Sequence, residues 1–225
     1  MLPSSTVENY LKAIYLGQIA LPPEARLVSM GHVAGALGVT PGTATTMVKA
    51  LFESGLAEYE PYNGVRLTPG GEKLATLVLR RHRLVELFLV EVMGMSWAEV
   101  HDEAEQLEHV VSERLIERID EMLGRPTHDP HGDPIPSPEG RLPADRLESL
   151  MTCPLHAPLK VTRIADQDPS FLRFIERHDL KPGQAIEVKS RDDAADAVTL
   201  CGPTRPLLTI GARAASKVLV EVETS

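Results

Sequence analysis

Residues 101–109 read H-D-E-A-E-Q-L-E-H, two imidazoles and four carboxylates in nine positions. The run lies in an apolar-periodic stretch from Ser96 to about Leu123, for which a helix is expected. At roughly 100° per residue, His101, Glu105, Glu108 and His109 share one face. Val100, Ala104, Leu107, Val111 and Leu115 fall on the adjoining arc, which puts the polar groups on the rim of a buried surface. Imidazole nitrogen and carboxylate oxygen are donors suited to first-row divalent ions. A second stretch, R-R-H-R-L-V-E at 80–86, sets His82 and Glu86 at i and i+4 on one side of a helix. A metal held by ligands from different helices would tie those helices together, which is what a sensor requires. The same residues also read as a solvated acidic helix with incidental histidines, since helices often carry polar faces.

The elements around these ligands begin with a helix from Val7 to Leu21, whose Tyr10, Leu11, Ile14 and Tyr15 form one buried face, ended by Pro22-Pro23. Ser29 caps a short helix reaching Leu37, and Gly38-Val39 makes a turn. Thr40 and Pro41 then supply an N-cap and an N1 proline for a helix to about Ser54. This is a helix-turn-helix, a unit that binds DNA but also occurs as plain packing. Strand-like runs Leu56 to Tyr62 and Val65 to Thr68, joined at Asn63-Gly64, add a hairpin wing. In such a domain the second helix enters the major groove. Thr40, Thr43, Thr45, Thr46 and Lys49 line that helix, and Tyr62, Asn63 and Arg66 decorate the wing. Threonine is a poor helix filler, so their clustering favours contact with phosphates and bases over surface filler.

Thr68-Pro69 opens a long helix through Met93, stopped by Gly94. Ser96 and Glu99 form a capping box for the central helix, and Ser112 starts a third helix ending at Gly124. So much aliphatic helix surface predicts a homodimer through residues 84 to 123. Residues 125–140 are a Pro/Gly-rich connector. There His128, Asp129, His131 and Asp133 invite a metal assignment, but Asx and proline turns give the same composition, and the turn reading is preferred. From near Leu155 five short strand-like runs and a helix from Ser170 to Arg177 describe a small barrel.

The totals bound the function. The 225 residues, 43% hydrophobic and 24% charged, suit a globular protein of two or three modules. There is no membrane-length apolar run and no signal-peptide pattern, so a cytoplasmic protein is expected. Cys153 and Cys201 lack metal-motif spacing and read as inert thiols. The net charge of -9 argues against nucleic acid until it is located. Residues 76–140 carry 14 acids against 6 bases, while 1–75 carry 6 against 5 and 141–225 carry 12 against 12. The excess acid sits where cations would bind.

With its modules in this order, the sequence resembles the diphtheria-toxin-repressor and manganese-transport-regulator family of metal-dependent transcriptional repressors. The resemblance rests on Y-L-K-A-I-Y, the helix-turn-helix, E-Y-E-P-Y-N-G-V-R-L-T-P-G-G, R-R-H-R-L-V-E, V-H-D-E-A-E-Q-L-E-H and H-G-D-P-I-P. It implies a mainly α chain with small β parts. A winged helix-turn-helix at 1–75 is followed by a helical metal-binding and dimerisation domain at 76–140, a linker at 141–154 and an SH3-like domain of the ferrous-transport A type at 155–225. It further implies a primary, activating metal site of Glu105, Glu108 and His109 and an ancillary site of His82, Glu86 and His101, to which the SH3-like domain lends Asp168. Asn9 matches the first-helix ligand, where relatives have methionine or aspartate. Glu105 stands where iron-responsive relatives have cysteine and manganese-responsive ones glutamate. Such an oxygen-rich set points to Mn(II), with Fe(II) as the alternative. The implied partners are operator DNA and a second copy of the chain, with no catalytic residue. Two other readings are a dinuclear metallohydrolase, for which the winged helix has no use, and a winged-helix regulator of an organic ligand with structural His/Glu faces.

Overall fold

The computed structural model describes residues 4–22, 24–143, 147–202 and 205–223. Pro23 of the expected helix-ending pair, the first three residues of the first module, 144–146 of the expected linker, and 203–204 and 224–225 of the expected barrel lie outside them. The chain divides into two compact units. One takes residues up to His82 with Gln106–Ile116 and Pro136–Leu142, and the other takes Arg83–Glu105, Glu117–Ile135 and the chain from Pro143.

In the first unit, α1 (Ser5–Ile19) starts where Ser4 Oγ accepts the Val7 amide, and it buries Tyr10, Leu11 and Ile14. Helix α2 (Met30–Ala36) is capped by Ser29. Helix α3 (Pro41–Glu53) is capped by Thr40, whose Oγ1 accepts the Thr43 amide at 3.2 Å. Ala44, Val48 and Leu51 of α3 meet the α1 face in one apolar core with Val28, Val33 and Val65. Strands β1 (Ala57–Glu60) and β2 (Gly64–Leu67) pair antiparallel, Glu60 opposite Gly64. The wing tip is therefore the three residues Pro61, Tyr62 and Asn63, with Tyr62 at φ 67°, and not the two-residue Asn-Gly turn expected from sequence. Gly64 serves another purpose. Val28 bridges to Val65, so a Cβ on Gly64 would stand 2.4 Å from the Val28 carbonyl oxygen.

Helix α4 (Pro69–Glu91) begins after Thr68, whose Oγ1 accepts the Gly71 amide, and it contributes to both units. The central helix expected from Ser96 to the restart at Ser112 is shorter at both ends. Helix α5 (Val100–Leu107) has only eight residues, and Glu108 to Val111 make a turn before α6 (Glu113–Met122). Two features explain the shortening. Trp97 and Ala98 are drawn into the second unit's core, so Ser96 and Glu99 close a single turn and not a capping box. Ser112 then offers α6 a cap, its Oγ accepting the Leu115 amide at 3.3 Å.

The second unit holds β3 (Glu148–Ser149), β4 (Leu159–Ile164), α7 (Pro169–Arg177), β5 (Ala185–Asp192), β6 (Ala197–Gly202), β7 (Arg205–Gly211), α8 (Ala212–Ala215) and β8 (Val218–Val222). The strands form an antiparallel six-stranded sheet in the order β3-β8-β4-β5-β6-β7. Alternation puts Leu159, Val161, Val198 and Leu200 inside with Leu172 and Ile175 of α7. The sixth strand, β3, lies in the stretch expected as linker, where two residues are too few to show a period. Cys153 is buried and Cys201 half-buried, both as free thiols, and burial pushes the Cys153 thiol up. Among the described residues no helix is long and apolar enough to cross a membrane. The fold is mainly helical with small β parts.

Candidate metal centres and DNA-binding face

The first centre forms where the chain leaves α5. Ending the helix at Leu107 frees Glu108 and His109 to turn toward α1. Glu108 is fully buried, and Lys12 of α1 places Nζ 2.8 and 3.0 Å from its two carboxylate oxygens. His82 Nδ1 lies 2.5 Å from Glu108 Oε2. His109 Nδ1 lies 2.6 Å from Oε2 of Glu8, and the other oxygen of Glu8 accepts from Arg81 at 2.8 Å. Because Glu8 can only accept, His109 donates from Nδ1, so in the neutral ring it is Nε2 that presents a lone pair. That Nε2 is buried, has no hydrogen bond, and faces Glu108 Oε1 at 3.4 Å. A histidine whose second nitrogen is fixed by a carboxylate is in the arrangement that metal-binding histidines use. Asn9 Oδ1, on the same helix as Glu8 and Lys12, is also buried without a hydrogen bond.

The second unit repeats the pattern. Glu86 Oε1 lies 3.1 Å from His101 Nδ1, and Glu105 Oε1 is 3.8 Å from His101 Nε2. Glu86 also gathers two residues of the connector. Asp129, Glu86 and His131, all buried, each bring a ligand atom within 4.8 Å of the others. The connector loop is held by Asp129 Oδ1, which accepts the amides of His131 and Asp133 at 2.8 and 2.9 Å. The turn chemistry read from the sequence is present and, in addition, positions an imidazole. His131 Nε2 donates to the Trp97 carbonyl at 2.9 Å and its ring stacks on Trp97, leaving Nδ1, the lone-pair nitrogen of the neutral ring, buried and without a hydrogen bond, 3.9 Å from Glu86 Oε2. Gly132 at φ 84° lets the loop press on β4, since a Cβ there would sit 1.9 Å from the Thr162 carbonyl oxygen. Burial, with the Asp133 and Glu86 charges adding, pushes the Asp129 carboxyl well above the usual carboxylate range. A group that resists ionisation alone is well placed to ionise beside a cation.

Asp168 is placed differently. Its Oδ1 accepts the Ser170 hydroxyl and, as the N-cap of α7, the Ser170 and Phe171 amides at 3.0 Å; the hydroxyl first and the amides after it hold its carboxyl below the usual range, and the structure brings it into no group of potential ligands among the described residues. His82, aligned by resemblance with the ancillary set, also meets Glu108 through Nδ1. Sequence reasoning missed Glu8, Lys12 and Arg81, which carry no local motif, and set aside Asp129 and His131. The signal for the last two was D-P-H-G-D-P-I-P at 129–136, a loop whose third potential ligand, Glu86, is distant in sequence. Both centres fit a divalent ion: each has an imidazole nitrogen with its lone pair buried beside carboxylates.

The residues expected to contact DNA lie in the first unit. Thr40, Thr43, Thr46 and Lys49 are exposed and Thr45 half-exposed along α3. Thr45 and Thr46 hydroxyls donate to the carbonyls of Pro41 and Gly42. A groove between the start of α2, α3 and the wing is lined by Ser29, Thr45, Lys49, Tyr59, Tyr62 and Asn63. Tyr62 projects fully from the wing tip, while Arg66 pairs loosely with Glu58 at 3.6 Å.

Comparison with known proteins agrees along the chain. Residues 3–65 match the family model of the iron dependent repressor N-terminal DNA binding domain, 68–137 that of the iron dependent repressor metal binding and dimerisation domain, and 148–222 the FeoA domain. The iron-dependent repressor IdeR of Mycobacterium tuberculosis is 37% identical over 131 residues, 58% of this chain and 55% of that protein. The chain thus matches little more than half the length of that relative. The HTH-type transcriptional regulator MntR of Lysinibacillus sphaericus is 36% identical over 122 residues, 54% of this chain and 84% of the relative. A solved manganese-dependent transcriptional repressor in complex with manganese superposes with a TM-score of 0.87 at 36% identity, covering 96% of this chain and 100% of its own. The chain belongs to the diphtheria-toxin-repressor and manganese-transport-regulator family of metal-dependent transcriptional repressors.

Proposed function

We propose that this protein is a metal-dependent repressor that senses Mn(II), with Fe(II) as a second effector, and controls metal-homeostasis genes from the cytoplasm. The observation that carries this reading is the pairing of His109 with Glu8, which fixes the imidazole so that Nε2 is held as a buried lone pair beside Glu108. Glu105, Glu108, His109 and Asn9 are the activating ligands in this reading. Glu86, His101, Asp129 and His131, with His82, form the ancillary set, and Asp168 stays a helix cap.

A bound divalent ion supplies the positive charge that lets buried carboxylates and imidazoles converge without mutual repulsion. The chain supplies the coupling. Glu8, Asn9 and Lys12 all stand on α1, and α1 packs on α2 and α3, so what happens at Glu108 and His109 reaches the DNA-reading helix through one rigid element. A ligand that favours one placement of α1 shifts the population toward it by its differential affinity. Thr40, Thr43, Thr45, Thr46 and Lys49 then contact the major groove, with Tyr62, Asn63 and Arg66 on the flanking backbone or minor groove. The chain acts as a homodimer through residues 84 to 123, where Val92, Met93, Val110, Leu115 and Met122 expose apolar side chains. No nucleophile enters this account. Division into a DNA-reading 1–75, a metal-binding and dimerising 76–140 and a C-terminal 155–225 module follows the same proposal, with β3 assigned to the last.

The test is a mobility shift on the DNA upstream of the protein's own gene. Manganese should produce the shift and a chelator abolish it. A shift indifferent to chelator, or one that answers only to a small organic molecule, would overturn the reading.

A further inference from the structure

We infer that Lys12 is a tethered counter-cation that holds Glu108 when metal is absent, and that its displacement sets the metal concentration to which the protein responds. The inference rests on the reading of Glu108 as a metal ligand.

Both carboxylate oxygens of Glu108 face the Lys12 ammonium, at 2.8 and 3.0 Å. The pair is buried, Lys12 at 8% exposure and Glu108 at 0%. Around it stand Glu8 and Arg81, ion-paired at 2.8 Å, with the exposed Glu113 3.8 Å from Arg81, so each of the two buried acids already has a basic partner. An isolated buried carboxylate is strongly unfavourable, and a partner cation relieves it. The chain therefore carries its own substitute for a metal ion. An incoming cation competes for Glu108 with the ammonium, which meets both carboxylate oxygens, and with His82 Nδ1 at Oε2; of the two it is the fixed positive charge of Lys12 that repels a cation at this distance in a low-dielectric setting. Arg81 is held elsewhere, by Glu8 and by the Glu108 carbonyl at 3.1 Å, and is not the group displaced. The released ammonium has a destination: Glu8 precedes Lys12 by one helical turn, the favourable Glu-to-Lys spacing. The exchange changes what α1 is tied to without detaching it. A monovalent group tethered to α1 would thus hold the threshold up, answering metal only once the pool can outcompete it.

The experiment measures manganese affinity by chelator competition at fixed pH in the full-length protein and its Lys12→Met and Lys12→Arg variants. Lys12→Met should bind manganese about tenfold or more tightly, having no ammonium to displace, while Lys12→Arg should stay near wild type. Equal affinity in wild type and Lys12→Met, or weaker binding in the latter, overturns the inference while leaving the metal-repressor reading intact. Wild-type protein that binds no manganese would instead remove that reading. A measurement on the wild type covers a Lys12→Met chain that fails to fold. Nitrogen-15 spectra of lysine side chains should show one exchange-protected ammonium without metal, which saturating zinc(II), a diamagnetic probe, abolishes. Persistence of that signal unshifted under zinc means the ammonium was never displaced, and the inference fails.

Discussion

His109 Nδ1 stands 2.6 Å from Oε2 of Glu8, a contact that joins the turn after α5 to the first helix. It decides which nitrogen of the ring is available. Glu8→Gln can rotate its amide to donate and so favour the wrong tautomer. Loss of such a partner typically costs about 10- to 100-fold in metal affinity, and that is the expected drop for Glu8→Gln in a manganese titration. His109→Ala should lose metal-activated operator binding altogether. Unaltered affinity in Glu8→Gln would show that this carboxylate does not orient the ring.

The second centre gives a separate readout. His131 reaches Glu86 from a loop fixed by Asp129, Trp97 and Gly132. Elemental analysis after dialysis against manganese should find two ions per chain in wild type and one in His131→Ala. The variant should still shift operator DNA, at a higher metal dose. If both proteins hold the same number of ions, His131 is a packing residue.

Residue 105 tests metal choice. Its carboxylate keeps the activating set rich in oxygen donors, which suits manganese, while raw affinity still follows the Irving-Williams order. Activation is therefore the informative quantity. Manganese should activate best, iron(II) next, and zinc should bind tightly but activate poorly, as it settles for four ligands. Glu105→Cys should shift activation toward iron(II), cobalt(II) and zinc(II). Equal activation by manganese and zinc in both proteins would mean the pocket does not choose.

Thr46 and Lys49 test the recognition face. Thr46 caps nothing, since its hydroxyl bonds back to the Gly42 carbonyl within α3, and Lys49 is exposed. Alanine at both positions raises helix propensity, so the fold should survive. Operator binding should be lost, with dimerisation and manganese affinity retained. Undiminished binding would place the DNA elsewhere.

How much of this was legible in the sequence depends on the range of the signal. Caps at Ser29, Thr40 and Thr68 and the apolar spacing of α1 and α3 are local, and each element stands where local chemistry put it. The break at Glu108 was not local. Apolar periodicity runs through it, but the turn allows Glu108 to meet Lys12, 96 positions away. The His131 loop shows the same limit. Its composition satisfies a turn, and only the fold reveals that the turn points an imidazole at Glu86. Asp168 is the converse case: resemblance made it a ligand, whereas an acid one residue before a helix-opening proline is first of all a cap.

In the proposed function, metal at Glu108 and His109 and DNA at α3 are coupled through α1. Linkage makes such coupling reciprocal. The direct measurement is manganese affinity with and without saturating operator DNA, set beside operator affinity with and without saturating manganese. The two ratios should agree and amount to about tenfold or more, within the usual range for coupled sites. Manganese affinity that does not change when operator is added would contradict this coupling.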